Sequence, residues 1–168
     1  MRKLFVLKAV VDFGWIVFCI PSILLLSVFS VYMFFDDSIF SEIKINSLTI
    51  DNPSLQIKLL ILTAVVLVLF LFYCVFLFRK TIRFFQRGNP FDAYVINTYN
   101  KIGIILVITG ISGALLTIVF WSIIKENIEV RLGISPTLFI IGLGLFFMIL
   151  SETFKISKHA KEENDLTV

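Results

Sequence analysis

Charge is what this sequence has least of. Only 16% of its 168 residues are charged, where a soluble domain carries roughly a quarter, while 58% are hydrophobic. With a mean hydropathy of +0.98, these values exclude a soluble globular domain and predict an integral membrane protein. Histidine is almost missing: His159 stands alone, and no cluster of His, Cys, Asp or Glu has the spacing of metal ligands, so no metal site is expected. The two cysteines, Cys19 and Cys74, lie inside apolar runs, which excludes a structural disulfide and makes each a small apolar side chain. No glycine-rich loop follows a strand, so nucleotide hydrolysis has no support. The span hydroxyls Ser22, Ser27, Ser112 and Thr117 have no His or Lys to act as base, and they read as helix-packing groups. No catalytic residue and no cofactor is therefore expected, and the chain reads as a non-enzyme. A net charge of +3 is too small, and too ordered by topology, to suggest direct nucleic-acid binding.

What is present is long apolar runs. A bilayer core of about 30 Å takes about 20 apolar residues in a helix. Four stretches meet that requirement, at residues 10–35, 59–78, 102–124 and 132–151. They predict an all-α bundle of four transmembrane helices forming one domain over residues 1–168. The abundant phenylalanine, 19 residues, fits lipid-facing and interhelical volume. The opening MRKLFVLK has the basic flank of a signal peptide, but no A-x-A-like site follows its long apolar run, which reads as a retained first helix. Orientation follows from Lys and Arg, which collect in cytoplasmic loops. Arg2, Lys3 and Lys8 precede the first span, Arg79, Lys80, Arg83, Arg87 and Lys101 lie between the second and third, and Lys155, Lys158 and Lys161 follow the fourth. The other two loops are acidic or balanced: Asp36, Asp37, Glu42 and Asp51 oppose Lys44 and Lys58 in one, and Glu126 and Glu129 oppose Lys125 and Arg131 in the other. Both termini are expected in the cytoplasm.

Alternation of apolar and polar residues in EIKINSLTI, residues 42–50, and NIEVRL, residues 127–132, is the strand period. A small β-pair over the outer mouth of the bundle is one reading, and two polar loops are the other. On the inner side, RFFQRGNPFDAYVINTYNKIG places Gly88 where a helix C-terminus favours positive φ. Asn89 then reads as N-cap, with Pro90 at the first helical position and Asp92 at the third. The second and third helices should thus extend past the membrane as a hairpin, with Phe91, Val95, Tyr99 and Ile102 as an apolar stripe packing on a neighbouring helix.

Asp12 is the one ionisable residue clearly inside a span and so a functional suspect. Its place near the inner interface, one turn from Lys8, favours local pairing or snorkelling over a ligand or proton role. Glu152, with Lys155 three residues on, reads the same way. Gly103, Gly110 and Thr117 recur every seven residues, and Gly110 with Ala114 forms a small-x-x-x-small pair. Gly103, Gly110 and Ala114 are accordingly helix-packing residues, within the bundle or at a homo-oligomer interface. Pro21, Gly142 and Gly144 are candidate kinks.

The chain resembles, end to end, the bacterial membrane family catalogued as domain of unknown function 2975. The resemblance rests on the four spans, a turn of the FxxGNPF type at residues 84–91 with one extra residue, the Ile102 and Gly103 pair opening the third span, and the ending EENDLTV. It implies a multi-pass protein of the bacterial cytoplasmic (inner) membrane. Members are often encoded beside a small Cro-like helix-turn-helix regulator, which implies a membrane protein that restrains or informs a DNA-binding protein. On that implication the chain is expected to be a regulatory or sensory partner of such a regulator, alongside the lipid bilayer itself. The alternative is a subunit of an oligomeric transporter or channel. The candidate partner contacts are Arg83, Arg87, Asn89, Phe91, Glu162, Glu163, Asp165 and Leu166. The acids of the tail would be repelled by anionic lipid. They face the cytosol or dock on the basic residues 79–87, and residues 166–168 would add as a short strand to a partner or cap the hairpin.

Overall fold

A computed structural model describes residues 2–36, 54–125 and 136–166, and every regular element among them is helical. Helix α1 covers Arg2–Gly14, a single π-helical turn covers Trp15–Cys19, and α2 continues over Ile20–Phe35, so the three form one long first helix. Helices α3, α4 and α5 cover Leu55–Gln86, Ala93–Lys125 and Pro136–Leu166. Four stretches are long and apolar enough to cross a membrane: Leu4–Phe35, Leu55–Gln86, Ala93–Ile123 and Pro136–Asn164. The protein is thus a multi-pass, all-helical membrane protein. The 32 residues of α3 extend for about 48 Å at 1.5 Å per residue, well beyond a hydrocarbon core of about 30 Å. The end of α3 that carries Arg83 leads through a short turn into α4, and the two helices pack together as the expected hairpin. The segments 42–50 and 127–132, read as strands or loops, lie outside the described residues.

The π-turn has a local cause. Pro21 has no N–H and its ring would meet the carbonyl four residues earlier, so a helix passing through it must widen or bend. Here the Ile20 N–H reaches Trp15 O, five residues back, and the chain enters α2 with Pro21 in its first turn. Several hydroxyls inside the spans are satisfied by their own helices. Ser27, Ser30, Thr63 and Thr117 each donate to the carbonyl four residues earlier, at 2.7, 2.7, 2.9 and 2.8 Å. A hydroxyl paired in this way can face lipid without an orphaned donor.

Packing is graded along the chain. The most extensive interface joins α4 to α5, the next joins α3 to α4, and the first helix leans on α3. A built Cβ on Gly103 would stand 2.7 Å from Gly144 O, and one on Gly144 would stand 2.8 Å from Gly103 O. On Gly110 it would stand 2.5 Å from Ile141 Cγ1. These three glycines let α4 and α5 approach backbone to backbone, the contact that dispersion rewards in lipid. The seam is therefore within one chain. Gly144, a candidate kink by sequence, is instead the partner of Gly103. Thr117 does not continue the row; it is exposed and bonded to Gly113 O. Large apolar side chains elsewhere point outward, among them Phe5, Phe13, Phe35 and Phe139, and give the bundle a lipid-facing surface.

Candidate functional site

One end of the bundle gathers the candidate site residues around a turn between α3 and α4. The N-terminal turn reaches it, because Gln86 Nε2 donates to Leu4 O at 3.4 Å. Helix α3 stops there in a Schellman motif: Asn89 N–H bonds Phe84 O at 3.1 Å, Gly88 N–H bonds Phe85 O at 3.2 Å, and Gly88 takes φ +77°. The glycine expectation holds, but the N-cap does not fall on Asn89. Asp92 caps α4, its Oδ1 accepting from Tyr94 N–H at 2.7 Å, and Ala93 is the first helical residue. Pro90 and Phe91 belong to the turn. Three residues are needed there because the Schellman closure turns the chain back before it can restart.

The expected stripe on α4 is the core of this end. Val95 is 0% exposed, Tyr99 4% and Ile102 1%, and they pack with Cys74 and Leu77 of α3 and Leu106 of α4. Tyr99 sits among Phe78, Phe85, Phe147 and Phe154, with ring centroids 5.6 to 6.3 Å away. Phe91 meets Phe154 edge-on at 5.8 Å. Ser151 of α5 donates to Ile96 O at 2.8 Å in a buried position. The turn, α4 and α5 are therefore held as one body here.

The C-terminal segment differs from its reading. Leu166 ends a helix, so the strand expected from that residue is not formed; residues 167 and 168 lie outside the described residues. Glu162 does not dock on the basic stretch. It pairs along its own helix with Lys158 at 3.7 Å and His159 at 3.7 Å. Arg83 and Arg87 are exposed, as are Asn89 and Glu163, and no acid among the described residues pairs with either arginine. Asp165 lies in the last turn of α5. What faces the turn is the basic side of α5: Lys158, Lys161 and Glu162 line a cleft of about 350 Å³ with Gly88, Asn89, Pro90, Phe91 and Asp92. Glu152 and Lys155 form the expected exposed pair at 3.7 Å.

Asp12 is the larger correction. It bonds and ion-pairs with Arg79 of α3, not with Lys8, and both side chains are mostly shielded, at 29% and 24% exposed. Arg79 is a residue of α3 rather than of a loop. With Leu4 facing Gln86 and Asp12 facing Arg79, the two helices run antiparallel and in register, which sets Lys8 level with Ile82 and Arg83. The available signal was depth: the one acid of the first span and the innermost cation of the second lie equally far from the same end. Among the described residues no three His, Cys, Asp or Glu side chains converge to hold a metal. Ala114, the third packing residue, is half-buried on α4 near the seam formed by Gly110.

The model of the family described as "Protein of unknown function (DUF2975)" matches residues 20–168. No curated protein and no solved structure matches the chain.

Proposed function

The chain belongs to the DUF2975 family, and from that premise we propose that it is a non-enzymatic regulatory or sensory protein of the bacterial cytoplasmic membrane, acting through a cytoplasmic helix-turn-helix regulator. Its inner end, with both termini, faces the cytoplasm, because Lys8, Arg83, Arg87, Lys158 and Lys161 collect there. The supporting observation is the cleft between the turn at residues 88–92 and the extension of α5. Two segments far apart in sequence meet there, one supplying Pro90, Phe91 and Asp92 and the other Lys158, Lys161 and Glu162. A concave surface lined by Pro90 and Phe91 and by charges of both signs suits a protein segment better than lipid. Asn89 lines it as well, and Arg87 and Glu163, each next in sequence to a lining residue, are exposed.

The rival reading, a subunit of an oligomeric transporter or channel, drew on the small residues of the third span. Gly103 and Gly110 are engaged with α5 of the same chain, which leaves that reading without its interface. The test is sedimentation of membrane vesicles with a small Cro-like helix-turn-helix regulator of the kind often encoded beside members of the family. The wild-type protein should carry the regulator into the pellet, and a variant with Lys158→Glu and Lys161→Glu should leave it in the supernatant while remaining inserted. Equal retention by both proteins removes the cleft as the docking surface.

A further inference from the structure

The first helix rests on α3 and stands off α4 and α5, and the space between is a cavity of about 610 Å³. Gly14 and Trp15 of the first helix, Cys74 of α3, Leu106 of α4 and Leu143 and Phe147 of α5 are part of its wall. Every lining residue lies within the membrane-spanning stretches, and none carries a charge. Water has no polar partner in such a space, and its volume is that of a ligand site rather than a packing defect. The apolar matter surrounding it in a membrane is hydrocarbon.

The rim gives the occupant a sign. Val11 and Phe78 line the cavity at its inner end, and each is followed in sequence by a member of the Asp12 and Arg79 pair, which neutralises itself. One turn nearer the inner surface stands Lys8, half-buried, level with exposed Arg83, and neither has an acidic partner among the described residues. Lys80 is occupied over the Phe76 ring, 4.6 Å from its centroid. Two unpartnered cations at headgroup depth above a chain-sized apolar cavity select one kind of amphiphile. We propose that the cavity binds an acyl chain of an anionic glycerophospholipid whose phosphate is held at Lys8 and Arg83. The site is separate from the cleft beside the turn, and the two stand or fall independently.

Trp15 in the wall is a built-in reporter, and Trp121→Phe makes it the only tryptophan of the chain. The full-length W121F protein is placed in phosphatidylcholine vesicles containing increasing fractions of phosphatidylglycerol or phosphatidylcholine with brominated chains, which quench tryptophan on contact. Half-quenching should occur at about thirtyfold lower fraction of the brominated phosphatidylglycerol, the worth of two cations near an anionic headgroup at about fivefold each. A Cβ on Gly14 meets nothing within 4 Å, so a side chain can start there into the cavity, and Gly14→Leu should occupy it and abolish that advantage. Lys8→Gln should reduce it while leaving quenching by brominated phosphatidylcholine unchanged. Equal quenching by the two lipids in the W121F protein, or an advantage that survives Gly14→Leu, overturns the proposal. Absence of quenching by either lipid overturns it too, since another protein segment or a second copy then fills the cavity.

Discussion

At the scale of single residues, the ion pair of Asp12 and Arg79 shows how lipid changes the worth of a charge. Removing one partner leaves the other charge unpaired in a span, whereas removing both leaves only apolar surface. Asp12→Ala and Arg79→Ala should each lower thermal stability in detergent micelles more than the double variant does. The coupling should be about 1 to 3 kcal/mol in a double-mutant cycle. Additive single effects would mean that the pair is solvated and idle. The turn offers a second, smaller test. Gly88 holds φ +77°, where a Cβ costs about 1 to 2 kcal/mol, so Gly88→Ala should destabilise by that order and Gly88→Asn by less. Asp92→Ala should cost about 1 kcal/mol through the lost cap, and Asn89→Ala should cost less. Gly88 was legible because only backbone conformation decides it. The cap was not, since Asn89 and Asp92 are both good cap residues and the choice between them depends on how many residues the Schellman turn consumes.

At the scale of elements, the glycines of α4 and α5 differ in what surrounds them. An added Cβ at Gly103 meets backbone oxygen at 2.7 Å, which cannot yield without separating the helices. At Gly110 the nearest atom belongs to the Ile141 side chain, at 2.5 Å, and the nearest backbone oxygen is at 3.1 Å. Gly142 meets nothing within 4 Å. Alanine should therefore be most damaging at Gly103, intermediate at Gly110 and neutral or mildly stabilising at Gly142, where helix propensity gains about 1 kcal/mol. Melting temperatures of the three variants check the order, and a flat series would show that the seam is not close-packed. Oligomer size should be the same in all three, since the seam is internal. The seven-residue spacing of Gly103 and Gly110 made a packing face legible. It did not identify the facing helix, because Gly142 and Gly144 look alike in sequence and only the register of α5 puts Gly144 against Gly103. The helices are longer than the spans read from hydropathy because hydropathy marks the stretch that suits lipid, while α3 and α4 continue beyond it, as the hairpin reading expected, and α5 does so too.

At the scale of the whole molecule, the question is which side the polar end faces. The first helix and α3 bring Leu4 and Gln86 together, and α5 brings Lys158 beside the turn at residues 88–92, so these segments share one face of the membrane whatever its orientation. The proposed orientation rests on their charge. Lys8, Arg83, Arg87, Lys158 and Lys161 are at this end, while the sequence between the first two spans carries Asp36, Asp37, Glu42 and Asp51 against Lys44, with Lys58 in the first turn of α3. Moving that basic set to the outside would oppose the bias that sets membrane topology. A cysteine at Asn89 should therefore resist a membrane-impermeant thiol reagent added to intact cells and react once the membrane is opened, and a cysteine at Ser47 should react in both. The native thiols give little background, since Cys19 and Cys74 are buried within the spans, and Cys19→Ala with Cys74→Ala removes what remains. Labelling of the Asn89 position from outside would reverse the orientation. It would also put the cleft beyond the reach of any cytoplasmic regulator, and Lys8 and Arg83 at the outer leaflet.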